Sequence, residues 1–300
     1  MRLRLLALAC CVWLVGCSES GERAATPTEP ELERAVYATA YPVAYFAERI
    51  SGGTVPVRLT VPEDADPVSW QPSAAEIAAF QGARLVVTNG AGFEGWVGSA
   101  PLARSRIVES TRAFEDELLT IETATHSHGP GGEHTHEGID PHTWMDPVQA
   151  QRQARAIASA MGEAFEGEDF DANLAALIED LASLDRGFRD AGLEGLSLLA
   201  NHGTYNYLAR RYGFEVRTVD LDPGSEDVVA AVEAVRGAID ESPALIMLWE
   251  AAPAEIVASA LERELGVRSV VMSPGERRPG SGDYLALMRE NILRLAEAGR

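Results

Sequence analysis

The feature that most constrains the fold of this chain is a gap. Short apolar, β-branched runs alternate with helical periods in its first half and again in its last third, yet no strand signal lies between Pro147 and Leu196. In the first half, residues 35–39, 55–60, 85–87 and 107–108 read as strands, with helices over 43–50, closed by Gly52-Gly53, and over 73–81. In the last third, strands are expected at 197–200, 214–219, 244–248 and 267–272. Helices there end at Tyr212, span 226–239 and 254–265, and resume from Asp283. The gap itself carries apolar residues at helical spacing over 148–163 and 169–190, among them Leu174, Leu177, Ile178, Leu181, Leu184 and Phe188, with a break near Gly167. Strands alternating with helices build a parallel sheet covered by helices. The expected fold is therefore α/β: two βα lobes, 31–147 and 193–300, joined by a long helical linker, 148–192, with a ligand cleft between them. Ligands of such folds sit beyond the carboxyl ends of the strands.

The N-terminus states where the chain works. Arg2 and Arg4 precede an apolar run from Leu5 to Val15 that is too short to span a bilayer and is flanked like an export signal. Leu14-Val15-Gly16-Cys17 resembles the lipobox of bacterial lipoproteins, which makes 1–16 a signal peptide and Cys17 the lipidated first residue of the mature chain. Cys10 and Cys11 leave with the signal, so no disulfide is possible and stability must come from burial. Residues 17–30 are polar, rich in Pro, Thr and Glu, and read as a tether. The expected location is outside the cytoplasm, lipid-anchored to a membrane facing the periplasm or the cell exterior.

Histidine usage points to metal. Of six histidines, five fall between His126 and His142: His126, His128, His134 and His136 in a glycine-rich loop, 122–139, and then His142. The sixth is His202. Neutral imidazole is the commonest side-chain ligand for borderline transition metals, and a flexible loop of His-x-His pairs can collect them weakly. The net charge of −21 opposes nucleic acid and anionic membrane surfaces and is compatible with a cationic ligand. Plainer roles exist for both isolated histidines: His142 could be hydrogen-bonded between Asp140 and Asp146, and His202 could cap the following helix. Trp70, Trp144, Tyr205 and Tyr207 read as core or cleft aromatics.

The residues around those histidines carry a resemblance. Asn89-Gly90 with Phe93-Glu94-Gly-Trp96, Asp140-Pro-His142-x-Trp144-x-Asp146-Pro147 and Asn201-His202-Gly-Thr-Tyr205-x-Tyr207-Leu-Ala-Arg210-Arg-Tyr212-Gly213 resemble the cluster A-I solute-binding proteins of bacterial ABC importers for zinc and manganese. Glu226, Glu250 and Tyr284-Leu-x-x-Met288-Arg-x-Asn291 also fit, and the histidine-rich loop is similar to that of the zinc-handling branch. The resemblance implies two rather rigid lobes, metal-binding histidines at His142 and His202, and capture of Zn(II), with Mn(II) as the alternative, for an inner-membrane ABC permease. It implies a monomer that meets the membrane only through its lipid.

Two positions depart from the family pattern. Val68 stands where the family places a third histidine, and Ser273 where it places a carboxylate ligand. Valine ligates nothing, and a hydroxyl is a poor zinc ligand. Asp66, Glu250 and the loop histidines are the candidate replacements. An alternative is a binding protein or metal chaperone on the same scaffold whose cleft does not use four ligands in the usual way. A metallohydrolase is disfavoured, because the His-x-His pairs lie among glycines and no Ser-His-Asp pattern, phosphate loop or Cys-x-x-Cys supplies other chemistry; the chain is not expected to be an enzyme.

Overall fold

The protein is described by a computed structural model covering residues 32–63, 65–121, 125–127, 133–135, 138–241 and 243–299. The signal, Cys17, the tether, His128 and His136 lie outside the described residues.

The first lobe runs β1 (Glu33–Ala38), α1 (Tyr41–Ser51), β2 (Val57–Leu59), α2 (Ala74–Gly82), β3 (Ala83–Thr88) and β4 (Ile107–Glu109). Its strands form a parallel sheet in the order β2-β1-β3-β4. Local chemistry sets the helix limits. Gly52 closes α1 in the left-handed conformation, at φ 56°. Ser73 opens α2 with a capping box: its hydroxyl accepts from Glu76 N and the Glu76 carboxylate accepts from Ser73 N. Strand β2 is shorter than its apolar run suggests, since Pro56 has no N–H to lend to the sheet.

The histidine-rich stretch contains a two-stranded antiparallel hairpin, β5 (Thr125–Ser127) and β6 (Glu133–Thr135), in which His126 pairs with His134. Those backbone positions were expected to be loop. Alternating Thr, His and Ser suits an extended strand.

Helices α3 (Pro147–Ala164) and α4 (Asp171–Asp190) follow, separated near Gly167 at φ 87°. The second lobe is β7 (Ser197–Ala200), α5 (Asn206–Tyr212), β8 (Glu215–Thr218), α6 (Val228–Glu241), β9 (Ile246–Trp249), α7 (Glu255–Leu265), β10 (Arg268–Val271) and α8 (Tyr284–Ala298). Its sheet is also parallel, in the order β10-β9-β7-β8.

The helical stretch between the lobes is more than a connector. Helix α3 packs on α1, β3 and β4, while α4 packs on α1 and on α8. Ile157, Met161, Leu177, Leu181, Leu184 and Phe188 join one core with Val36 and Val87 of the first sheet and Leu198, Leu248 and Val270 of the second. Separate clusters lie under α6 and α7 and around Phe80 and Trp96. A core shared by both sheets resists relative motion of the lobes, because close-packed interiors deform little.

Candidate metal centre

The strand ends of the two sheets supply the site. In the first lobe, Asn89 follows β3, and its N–H and that of Gly90 donate to the Glu94 carboxylate at 2.8 and 3.1 Å. Thr39 Oγ1 donates to the same carboxylate at 2.5 Å, yet burial outweighs these bonds and pushes the Glu94 pKa up. The Asn89 side chain, held by a bond from Gln153, donates to the Pro141 carbonyl at 2.9 Å. The residue before His142 is thereby fixed from the first sheet.

The second lobe grips the same segment. Tyr207 Oη donates to the Asp140 carbonyl at 2.8 Å, and Asn206 Nδ2 to the Asp140 carboxylate at 2.9 Å. Asp146 caps α3 by accepting from Val148 N at 2.8 Å and pairs with Arg211 Nε, also at 2.8 Å. Trp144 Nε1 donates to the Pro274 carbonyl and accepts nothing in return, while its own carbonyl accepts from Tyr284 Oη. The aromatics Trp144, Tyr205 and Tyr207 are fully buried here, as the sequence suggested.

Between these anchors lies His142, 1 % exposed. Its Nδ1 is 2.7 Å from Asp140 Oδ1, and its Nε2 is 2.9 Å from Glu276 Oε1. Burial by itself would lower the His142 pKa; the Asp140 carboxylate, seconded by Glu276, overrides it and lifts the value to about 10. Burial likewise works to raise Asp140, and the imidazolium beside it prevails, so its pKa is lowered. The plain structural role considered for His142 set it between Asp140 and Asp146; the Asp140 contact is present, while Asp146 serves Arg211 and the helix terminus.

His202 approaches from the second lobe, two residues past β7. Asn201 ties the strand ends together: its N–H donates to the Leu248 carbonyl at 2.9 Å, and its side-chain oxygen accepts from Glu250 N at 2.9 Å. Glu250, just past β9, is thereby held with Oε2 3.3 Å from His202 Nδ1. His202 caps no helix, since α5 starts at Asn206 with Tyr205 before it. The two imidazoles face each other edge to face, centroids 5.8 Å apart.

A cavity of about 460 Å³ lies against the carboxylate partners of the two histidines, lined by Asp66, Asp222, Glu250, Ser273, Glu276 and Arg277 among others. Asp66 therefore reaches the cavity wall, where its carboxylate accepts from Val68 N at 3.1 Å and Ser69 Oγ at 2.9 Å. Val68 itself packs against the main core. Ser273 gives its carbonyl to Asn291 Nδ2. Among the described residues, no three His, Cys, Asp or Glu side chains are gathered into a ready metal group. The centre consists of two imidazole–carboxylate pairs, His142 with Glu276 and His202 with Glu250.

Glu276 is the residue that reading the sequence missed. It lies three positions past Ser273, after the last strand, and the rule that sites form beyond carboxyl strand ends was the available signal.

Two parallel α/β lobes with a shared core, each contributing one buried histidine to a meeting point beside the cavity, define a two-lobed solute-binding protein. The chain belongs to the ZnuA family, described as zinc-uptake complex component A, periplasmic, which matches residues 36–298. It is 28% identical to the zinc-binding lipoprotein AdcA of Streptococcus pneumoniae (strain ATCC BAA-255 / R6) over 98% of its own length and 60% of the relative's. It is 26% identical to the high-affinity zinc uptake system protein ZnuA of Bacillus subtilis (strain 168), over 98% and 96%. The fold matches the metal-dependent lipoprotein YcdH of Bacillus subtilis at TM-score 0.74 and 24% identity, covering 88% of this chain and 98% of that one. It also matches Zn(II)-bound AdcA of Streptococcus pneumoniae at TM-score 0.73 and 26% identity, covering 89% and 57%. The chain thus spans about 60% of the length of the AdcA relatives. No helix among the described residues is long and apolar enough to cross a membrane.

Proposed function

We propose that this protein captures Zn(II) outside the cytoplasm and delivers it to an ABC permease, tethered by lipid at Cys17. The observation that carries the reading is the meeting of His142 and His202, one from each lobe, with a carboxylate on each. His142 Nε2 and His202 Nε2 are the proposed imidazole donors, and Glu276 the carboxylate donor that makes a fourth-strand ligand at Ser273 unnecessary. Glu250 holds His202 Nδ1, which fixes the ring and leaves Nε2 for the metal, as carboxylate–histidine–zinc arrangements do. Asp66, on the same cavity wall, is the remaining first-lobe carboxylate able to take part. A zinc ion on two imidazoles and one carboxylate keeps a position for water or a loop histidine.

Imidazole donors favour Zn(II) over Mn(II), and the zinc-named relatives support the same choice. The buried imidazoles suit retention of an ion better than turnover of a substrate, so we read the centre as cargo-binding and not catalytic. The protein is taken to act as a monomer.

Titration calorimetry of chelator-stripped protein starting after Cys17, with and without residues 122–139, tests the proposal. One zinc per chain in both forms is expected, with manganese weaker. Loss of all binding on loop deletion would place the metal in the loop and sink the cleft site.

A further inference from the structure

Both imidazoles are almost without solvent access, 1 % for His142 and 3 % for His202, so no hydrated ion reaches them unless something moves. The shared core restrains the lobes themselves. What covers His142 is Glu276, on the segment between β10 and α8, and that segment is built differently from its surroundings.

Gly275 and Gly282 bound it, both at φ 74°, in the left-handed region that favours glycine. A side chain at Gly275 would also crowd Leu287 and Met288, with contacts of 3.1 and 3.3 Å. Between the two glycines, Arg278 reaches across to α1 of the first lobe. Its Nη2 is 2.7 Å from Glu48 Oε1, and its guanidinium stacks over the Tyr41 ring at 5.0 Å. Cavities lie on both faces of the segment. Glu276, Arg277, Arg278 and Pro279 line the metal-side cavity and also a second one of about 970 Å³ behind it, walled by Tyr41, Glu48 and Arg58. The segment therefore has space to swing into, and Arg278 ties it to the first lobe against doing so.

We propose that residues 275–282 form the gate of the metal site, turning on Gly275 and Gly282 into the rear cavity, and that Arg278 is the positioning residue that latches it shut on Glu48 and Tyr41. This rests on the zinc-capture reading of the centre. With the latch engaged, Glu276 is held on His142. With it released, Glu276 withdraws and the imidazoles open to the cavity.

The test is stopped-flow zinc exchange, measuring entry with a zinc-sensitive dye and release into excess chelator, for the unmodified chain, Arg278→Glu, Glu48→Arg and the double swap. Side-chain exposures of 45% for Arg278 and 35% for Glu48 make these surface substitutions that keep the fold. Arg278→Glu is expected to speed entry and release together, each by about five- to tenfold, as loss of an exposed ion pair and a stacked cation predicts. Because both rates rise, calorimetric affinity stays within about threefold, and the double swap restores slow exchange. A structural role alone would shift affinity or melting temperature without raising the entry rate; that outcome, or failure of the swap to rescue, overturns the gate while leaving zinc capture intact. If the unmodified chain binds no zinc in calorimetry, the capture reading falls and the gate with it.

Discussion

The segment 140–146 and the segment 275–282 meet at one hydrogen bond, His142 to Glu276, and are built on opposite principles. The first is gripped by Asn89 from one lobe and by Asn206, Tyr207 and Arg211 from the other, with Asp140, His142, Thr143, Trp144 and Asp146 all buried. The second is bounded by glycines, flanked by cavities and latched to α1 through Arg278. One half of a metal site can thus be rigid and the other hinged. In the proposed centre, rigidity presets the imidazole, sparing the entropy of ordering it at each capture, and the proposed hinge lets the ion in past the carboxylate.

The sharpest way to break the comparison is to remove an imidazole. His142→Ala or His202→Ala should each weaken zinc binding by more than about 100-fold in competition titrations, because losing a donor costs more than losing its supporting partner. Retained affinity in both would end the cleft-site reading. Next comes the grip on the rigid segment. Arg211→Ala leaves the buried Asp146 carboxylate without its guanidinium, and should cost about 3 kcal/mol of stability in denaturant unfolding. If it instead lowers affinity and leaves stability unchanged, the segment is less rigid than its contacts imply.

Glu250→Gln probes His202. The amide keeps the shape and loses the charge, and zinc affinity should fall about 10- to 100-fold with the fold intact by circular dichroism. Tyr205→Phe tests a smaller tie, the 2.6 Å bond from Tyr205 Oη to the Met272 carbonyl that anchors the chain just before the hinged segment. About 1–2 kcal/mol of stability should go, since a buried carbonyl is left unpaired. The smallest effect belongs to Ser273→Ala, whose hydroxyl has no assigned part in the centre; zinc affinity should stay within about twofold. A larger loss would return a ligand role to Ser273 and weaken the case for Glu276.

Alternation and spacing made the two-lobe α/β fold readable, because hydrophobic period and helix termini are local properties: Gly52 and the Ser73–Glu76 box stop and start helices wherever they sit. His142 and His202 were legible for a related reason, since each lies in a short contiguous motif, residues 140–147 and 201–213. Legibility failed where contacts join distant residues. Glu276 lies 134 residues from His142, and nothing in either neighbourhood announces their 2.9 Å contact. Aligning the family pattern on Ser273 pointed three residues short, because ligand position along a loop depends on how the loop turns. The role of the central helices was likewise hidden: their apolar faces are visible in sequence, but not that one core would take both sheets. Composition and periodicity thus determined which elements form, and the tertiary structure decided that Glu276 faces His142 and that Arg278 reaches Glu48, because those outcomes depend on packing between residues the chain separates by more than a hundred positions.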